Sequence, residues 1–394
     1  MSTRPTYTRS RRATAVLLAM ISVPLAAVPA AAQTGTTGSL TISGDLRTGY
    51  YASQRTDRDG AESEKDDWRA RLRVGAALPI NDKLSIRLRA AGRFSTEQES
   101  MDFVLQGHAP TVDGLEFGQA TLDEAYLHFQ PSGLISLRAG RFQSKFVLAD
   151  LLGKSLDRGD SPNTDISWTD GLHLTLGGLP GSWNTHLILQ HNSTDGPSNV
   201  VRAPLVVGDS RSRITYFAAL ENTVRWGPVV QRSIDLTYIP GALHVDGITP
   251  GSAVEDYVAV VARGALAWPV AAGRLLVGGE AGFAPNTPSR AALRIGEPGS
   301  GRSGGTAYQV GVTLADLIAN HRIGVIYSEA EAGWLIAPDC RNNDSLIELR
   351  YQWQFARSHS FEARLRDRED LEMLTIADQR RHDVDIYLRI TSRF

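Results

Sequence analysis

Arginines spaced two apart are the groups in this sequence best placed to do chemistry. Arg69, Arg71 and Arg73 form one run, Arg87, Arg89 and Arg93 a second with one gap, and Arg364, Arg366 and Arg368 a third. In a β-strand a period of two puts each run on a single face. Like charges stacked in that way repel, so the pattern implies either a deliberate positive field or a merely polar lumen with Asp45, Glu348, Glu362, Asp383 and Asp385 as partners. Arg47, Arg350, Arg389 and Arg393 extend the set to other extended segments. Of 41 basic residues only Lys65, Lys83, Lys145 and Lys154 are lysines. The charge is therefore carried by rigid guanidinium forks, which suit contacts with carboxylates and phosphates. The chemistry this suggests is the holding or steering of anions.

Other constellations are weaker. His128, His173 and His186 fall on one face of their segments and serines are common, which keeps a hydrolase open. No serine, however, stands at a spacing that commits a histidine and an acid to it, and such triads are defined by geometry. Asp57, Asp59, Glu62, Glu64, Asp66 and Asp67 could offer oxygen ligands to Ca²⁺ or Mg²⁺, but a solvated acidic loop explains them with fewer assumptions. Gly299, Gly301 and Gly304 match G-x-G-x-x-G, yet they follow Pro298 in a loop with no helix after it, so the match predicts no dinucleotide site. Arg158-Gly159-Asp160 is read as chance. Cys340, the one cysteine, rules out an internal disulfide framework and is expected to be a solvent-exposed loop thiol without a role. No metal or cofactor is expected.

The elements that must carry the arginines are strands. The last segment, His382 to Phe394, places Val384, Ile386, Leu388, Ile390 and Phe394 on one face and Asp383, Asp385, Tyr387, Arg389, Thr391 and Arg393 on the other. A strand apolar on one side and ionic on the other fits a transmembrane barrel, in which lipid-facing and lumen-facing residues alternate. Sixteen such segments are expected, beginning with 39–51, 68–78 and 84–94 and ending with 344–355, 360–368 and 382–394. No long segment keeps a 3.6-residue period with helix caps. Short links such as 79–83, 130–133, 177–182 and 356–359 alternate with long ones such as 95–119, 143–167, 192–211 and 284–304. A barrel with short turns at one rim, long loops at the other and an even strand number follows. Aromatics gather at both ends of the apolar faces, with Tyr50, Trp68, Phe94, Tyr238, Phe283 and Tyr327 at the long-loop ends and Phe129, Trp183, Trp268, Trp353, Phe361 and Phe394 at the turn ends. Asp123 and Arg232 are the two charges expected to point outward, each near a strand end.

Arg4, Arg9, Arg11 and Arg12 precede an apolar run from Ala13 to Val28 and the small residues Ala30 to Ala32, which reads as a secretory signal peptide over 1–32. Its removal takes away four arginines and no acid, moving the formal charge from −2 to −6. A mildly acidic chain is no candidate for nucleic acid binding. Elsewhere no run reaches the ~18 apolar residues of a spanning helix, so any membrane residence must come from strands.

The mature chain, 33–394, resembles the sixteen-stranded Gram-negative outer-membrane porins. The likeness rests on the architecture, on the terminal Phe394, on D-E-A-Y-L from Asp123 and on L-R-A-G-R-F from Leu137 to Phe142. It implies an all-β transmembrane antiparallel barrel in the cell outer membrane, contacting lipid and lipopolysaccharide, assembled as a homotrimer, with Phe394 as the assembly signal. It also implies that the link at about 143–167, with Asp150, Asp157, Asp160 and Asp165, is a third loop folded inward to narrow the channel. There it would set a transverse field against a basic wall of Arg47, Arg69, Arg71, Arg73, Arg87, Arg89, Arg93, Arg350, Arg364, Arg366 and Arg389. The expected function is passive diffusion of small hydrophilic solutes or ions with an anion bias. The alternatives are a channel specific for phosphate, a carboxylate or an oligosaccharide, and a barrel hydrolase.

Overall fold

The computed structural model describes residues 39–96, 101–103, 118–148, 151, 153–161, 163–192 and 202–394. The leader and Asp150 lie outside them. Seventeen strands form one sheet: β1 (Thr41–Thr56), β2 (Glu62–Asn81), β3 (Leu84–Ser95), β4 (Met101–Phe103), β5 (Gly118–Ser132), β6 (Ile135–Phe142), β7 (Thr169–Leu179), β8 (Trp183–His191), β9 (Ile214–Asn222), β10 (Val229–His244), β11 (Val254–Val270), β12 (Gly273–Phe283), β13 (Thr306–Ala315), β14 (His321–Ala330), β15 (Asp344–Ala356), β16 (His359–Asp370) and β17 (His382–Arg393). The three-residue β4 pairs parallel with β5, while β3 pairs with β5 directly. The wall therefore has sixteen strands, each antiparallel to the next. β1 pairs with β17 from Asp45↔Arg393 to Thr56↔His382 and closes the barrel.

Closure follows from the two-sided sequence pattern. On β13, Tyr308, Val310 and Val312 are 36–49% exposed, while Gln309 and Thr313, which alternate with them, are at most 2% exposed. On β17, Ile386, Leu388 and Ile390 face out while Asp383, Asp385 and Tyr387 are buried. A sheet whose outer face is greasy and whose inner face is polar has no stable home in water. In lipid it must also pair every backbone group, which a closed barrel does.

Two expectations need correction at strand ends. β1 and β2 run to Thr56 and from Glu62, well past the segments 39–51 and 68–78. The acidic cluster is thus largely strand, with Asp57 and Asp59 alone in the connecting turn. Beyond the aromatic belt, where Tyr50 and Trp68 pack at 5.3 Å, both faces of these strands meet water, so apolar alternation no longer marks them. Asp123 faces inward and is fully buried. The reason is a bulge: Arg89 pairs with Glu124 but Ala90 with Leu122, so Asp123 is the extra residue and the alternation slips by one. Arg232 does face out, its guanidinium 5.6 Å from the Trp183 ring and 5.7 Å from that of Trp226.

One side of the barrel is filled. Inward residues of β10 and β11 (Ile239, Leu243, Tyr257, Val261) and the small Ala284, Ala307 and Ala330 form an apolar cluster with Trp334, Leu335 and Ile336 of the 331–343 link. Leu205 and Leu156 join from two other links. Alanines and Gly282 leave room for the Trp334 ring; a Cβ on Gly282 would lie 2.5 Å from it. Cys340 belongs to this cluster. It is 2% exposed, with its Sγ 3.2 Å from Ser328 Oγ, and is not the exposed loop thiol that its hydrophilic neighbours suggest.

Candidate functional site: the inner arginine wall

Closure at β1–β17 brings the three arginine runs onto one surface. Register places Arg47 beside Arg71, Arg71 beside Arg93, Arg350 beside Arg364, and Arg389 beside Glu362. Arg69, Arg71, Arg73, Arg93, Arg350 and Arg364 are each no more than 8% exposed. Arg87 is the most open of the set, and Arg47, Arg89, Arg366 and Arg389 are half-buried. Tyr387 sits among them with Arg364 5.1 Å and Arg389 5.9 Å from its ring. Gly49 makes this possible, because a Cβ there would fall 3.0 Å from the tyrosine ring and 2.5 Å from the Leu388 carbonyl oxygen.

The wall is not a bare positive surface, for carboxylates interleave with the guanidiniums. Asp385 takes Arg366 at 2.7 Å and Arg364 at 3.3 Å. Glu348 takes Arg350 and Lys154, the latter at 3.0 Å, and Glu362 takes Arg389 at 3.0 Å. Asp45 serves Arg71 at 3.2 Å and Arg47 at 3.5 Å, and Asp67 serves Arg69 at 2.7 Å. Asp123, brought inward by its bulge, binds Arg73 and Arg89 at 2.8 Å each, and Glu124 binds Arg89 at 2.9 Å. Stacked like charges are tolerated because nearly all are neutralised by a carboxylate on the same strand, on a nearby strand or in the 143–168 link. Among the described residues Arg87 makes no ion pair.

Residues 143–168, between β6 and β7, meet this wall and the opposite one. Arg47 donates to the Asn163 carbonyl at 2.6 Å, and Arg71 to the Asp165 carbonyl at 2.9 Å. Across the barrel the Leu156 amide donates to Glu280 at 2.8 Å, and Trp334 Nε1 to the Leu156 carbonyl at 2.9 Å. The acids of the segment divide. Asp165 faces Arg93 at 3.5 Å. Asp157 instead turns to Arg263 on β11 at 3.6 Å, and Asp160 accepts from the Ser144 amide at 2.7 Å and from Thr169 at 3.1 Å. Burial pushes the carboxyls of Asp160 and Asp165 up to about 6, against the pull of Arg158 on the first and of Arg93 on the second. Of the three described acids of the segment, only Asp165 confronts the basic wall, and among the described residues the counter-charge lies mostly within the wall.

Several site residues carry no sequence signal of their own. Arg263, wholly buried, binds Asp235 at 2.7 Å and Glu280 at 2.6 Å, and Lys154 is buried against Glu348. The inward histidines pair with neighbours: His173 Nε2 lies 3.2 Å from His186 Nδ1, and His128 Nε2 2.9 Å from Ser136 Oγ. Among the described residues the one carboxylate within 4.0 Å of any of the three is Glu221, 3.9 Å from His186, so there the serine contact of His128 has no acid behind it. Among the described residues no three side chains converge as a metal site.

No family model and no curated protein matches the sequence. Solved structures do match. The outer membrane channel DcaP of Acinetobacter baumannii aligns with a TM-score of 0.55 at 11% identity, over 91% of this chain and 97% of that one. The fold is that of the Gram-negative outer-membrane porins. OprB of Pseudomonas putida aligns with a TM-score of 0.55 at 10% identity over 90% of this chain and 94% of its own. An anion-selective porin from Comamonas acidovorans aligns with 0.52 at 12% identity over 91% and 100%. At such identities the likeness concerns the porin fold and not the residues that line it.

Proposed function

We propose that this protein is an outer-membrane porin, a channel through which small hydrophilic solutes diffuse with a bias toward anions. The observation that carries the reading is the closed sixteen-strand barrel, apolar outside and lined on β15–β17 and β1–β3 by guanidiniums. Residues 1–32 serve as the secretory leader, the short turns face the periplasm, and the long links face outward. The 143–168 segment narrows the passage, leaving the arginine side as the polar route because the long-link half of the β10–β14 side is filled by apolar residues. Phe394 acts as the assembly signal, and a homotrimer in lipid and lipopolysaccharide follows from the same resemblance. The reaction is transport without bond chemistry.

Bias survives the interleaved carboxylates because paired charges cancel at a distance while an unpaired one does not. A single charge at 4 Å acts with about 4 kcal/mol at an effective dielectric of about 20. At about 0.15 M salt the Debye length is about 8 Å, so an ion in a narrowed pore still feels Arg87. A channel selective for a phosphate or carboxylate solute is the second reading, favoured by the number of guanidiniums within the wall. Reversal potentials in a KCl gradient test the first: anion preference is expected in the parent, shifted toward cations by Arg87→Glu with Arg89→Glu. Cation preference in the parent, or no shift, would refute it.

A further inference from the structure

At the short-turn mouth, directly below the point where Asn163 meets the wall, a pocket of about 320 Å³ opens between the first residues of β14 and β16 and the last of β15 and β17. Four arginines line it: Arg47, Arg322, Arg389 and Arg393. Two acids line it as well. Glu362 is engaged by Arg389 at 3.0 Å and by the Gln352 amide at 2.7 Å. Asp316 is engaged by Arg274 at 3.3 Å. Arg322 and Arg393, by contrast, make no side-chain hydrogen bond or ion pair among the described residues. The hydroxyls of Ser360 and Thr391 complete a rim of neutral donors.

We infer that this pocket is a binding site for a small divalent oxyanion of the phosphate or sulfate type, with Arg322 and Arg393 as its principal ligands. The charge count supports the valence: with Asp45 on Arg47 and Arg274 on Asp316 included, five guanidiniums against three carboxylates leave an excess of two positive charges. Guanidinium forks bind tetrahedral oxyanions through paired N–H donors, and the pocket has volume for the ion with part of its water. Resting on the channel reading, the site would hold an anion as it leaves the narrow passage, adding a binding step at the turn-side mouth that the wall itself does not provide. Because Arg322 is the second residue of β14 and Arg393 the last of β17, the two reach the site from strands that are distant in the sequence; neither belongs to an i, i+2 run of arginines.

Titration calorimetry on the detergent-solubilised full chain, with sodium sulfate and inorganic phosphate against a chloride background, tests this. The parent is expected to bind both oxyanions. Arg322→Gln with Arg393→Gln should weaken binding at least tenfold, and Arg322→Lys with Arg393→Lys should keep most of it, showing that charge at these positions and not a folding defect is responsible. Absence of binding in the parent, or equal binding by the glutamine pair, overturns the inference. If the parent prefers anions in bilayers yet binds neither oxyanion, the pocket falls and the channel reading stands. If binding depends on both arginines while the pore prefers cations, the pocket stands and the selectivity falls.

Discussion

Lys154→Met should loosen the inward segment without unfolding the barrel. Lys154 Nζ lies 3.0 Å from Glu348 on β15, and the two side chains are 2% and 0% exposed, so the pair ties the segment to the wall in a site that water does not reach. Removing one partner of a buried pair costs about 3–5 kcal/mol, mostly through the charge left behind. Here Glu348 keeps Arg350, and Arg364 stands at 4.0 Å, which points to the lower end of that range. About 3 kcal/mol corresponds to a shift of roughly a hundredfold in the balance between docked and released segment. Single-channel recording reads this directly, as a higher conductance with added open-channel noise, while the thermal unfolding of the barrel should change little because its strand ladders do not use Lys154. Glu348→Gln gives the contrast. It withdraws the counter-charge from three cations at once, and should lower barrel stability as well as free the segment. A quiet, unchanged conductance in folded Lys154→Met protein would refute the idea that this contact holds the segment in place.

Three further outcomes are expected. The carboxyls of Asp160 and Asp165 sit near 6 in the folded chain, above the ordinary 3.8, so the docked segment binds protons more tightly than the released one. Its docking is therefore strongest below about pH 4 and weakens as pH rises through about 6; conductance noise should grow across that interval and the growth should flatten in Asp160→Asn with Asp165→Asn, whereas an unaltered profile would argue against the segment as the origin. Cys340, enclosed beside Ser328, should resist a membrane-impermeant maleimide in folded protein and react in denatured protein, and rapid native labelling would mean the apolar cluster is open. A peptide tag at Gly301 should be reached by antibody on intact cells and one at Asn81 or Gly181 should not; the reverse pattern would invert the proposed orientation.

What the sequence made readable was the part governed by solvent on both sides of a strand. Ile386, Leu388 and Ile390 alternate with Asp385, Tyr387 and Arg389 because lipid and lumen demand it, and that alternation located the wall. It could not locate strand ends at Glu62 or Thr56, where water on both faces removes the demand. Nor could it foresee Asp123, since a bulge shifts the alternation by a single residue without a composition signal of its own. The arginine faces were readable, and so were Asp45, Glu348, Glu362 and Asp385 among them as partners; Asp123, turned inward by its bulge onto Arg73 and Arg89, and Lys154, reaching Glu348 from a link, were not. Trp334, Leu335 and Ile336 lie in a link without periodicity, and only the fold reveals that Leu156, far away in sequence, packs against them.

The filled side of the barrel gives its interior two sets of rules for mutation. Around β1–β3 and β15–β17 an inward position answers to ions, so exchanges that preserve charge and length should be tolerated and a new apolar residue should leave buried partners unmatched. On the long-link halves of β10–β14 an inward position answers to close packing instead. There Ala259, Ala307 and Ala330 lie against side chains from distant links, and enlarging any of them would cost about 1–3 kcal/mol, as overpacking does in a water-soluble core. Random mutagenesis scored for assembly should therefore divide the inside of this single cylinder, with the arginine face behaving like a channel and the long-link half of the β10–β14 face like the middle of a globular protein.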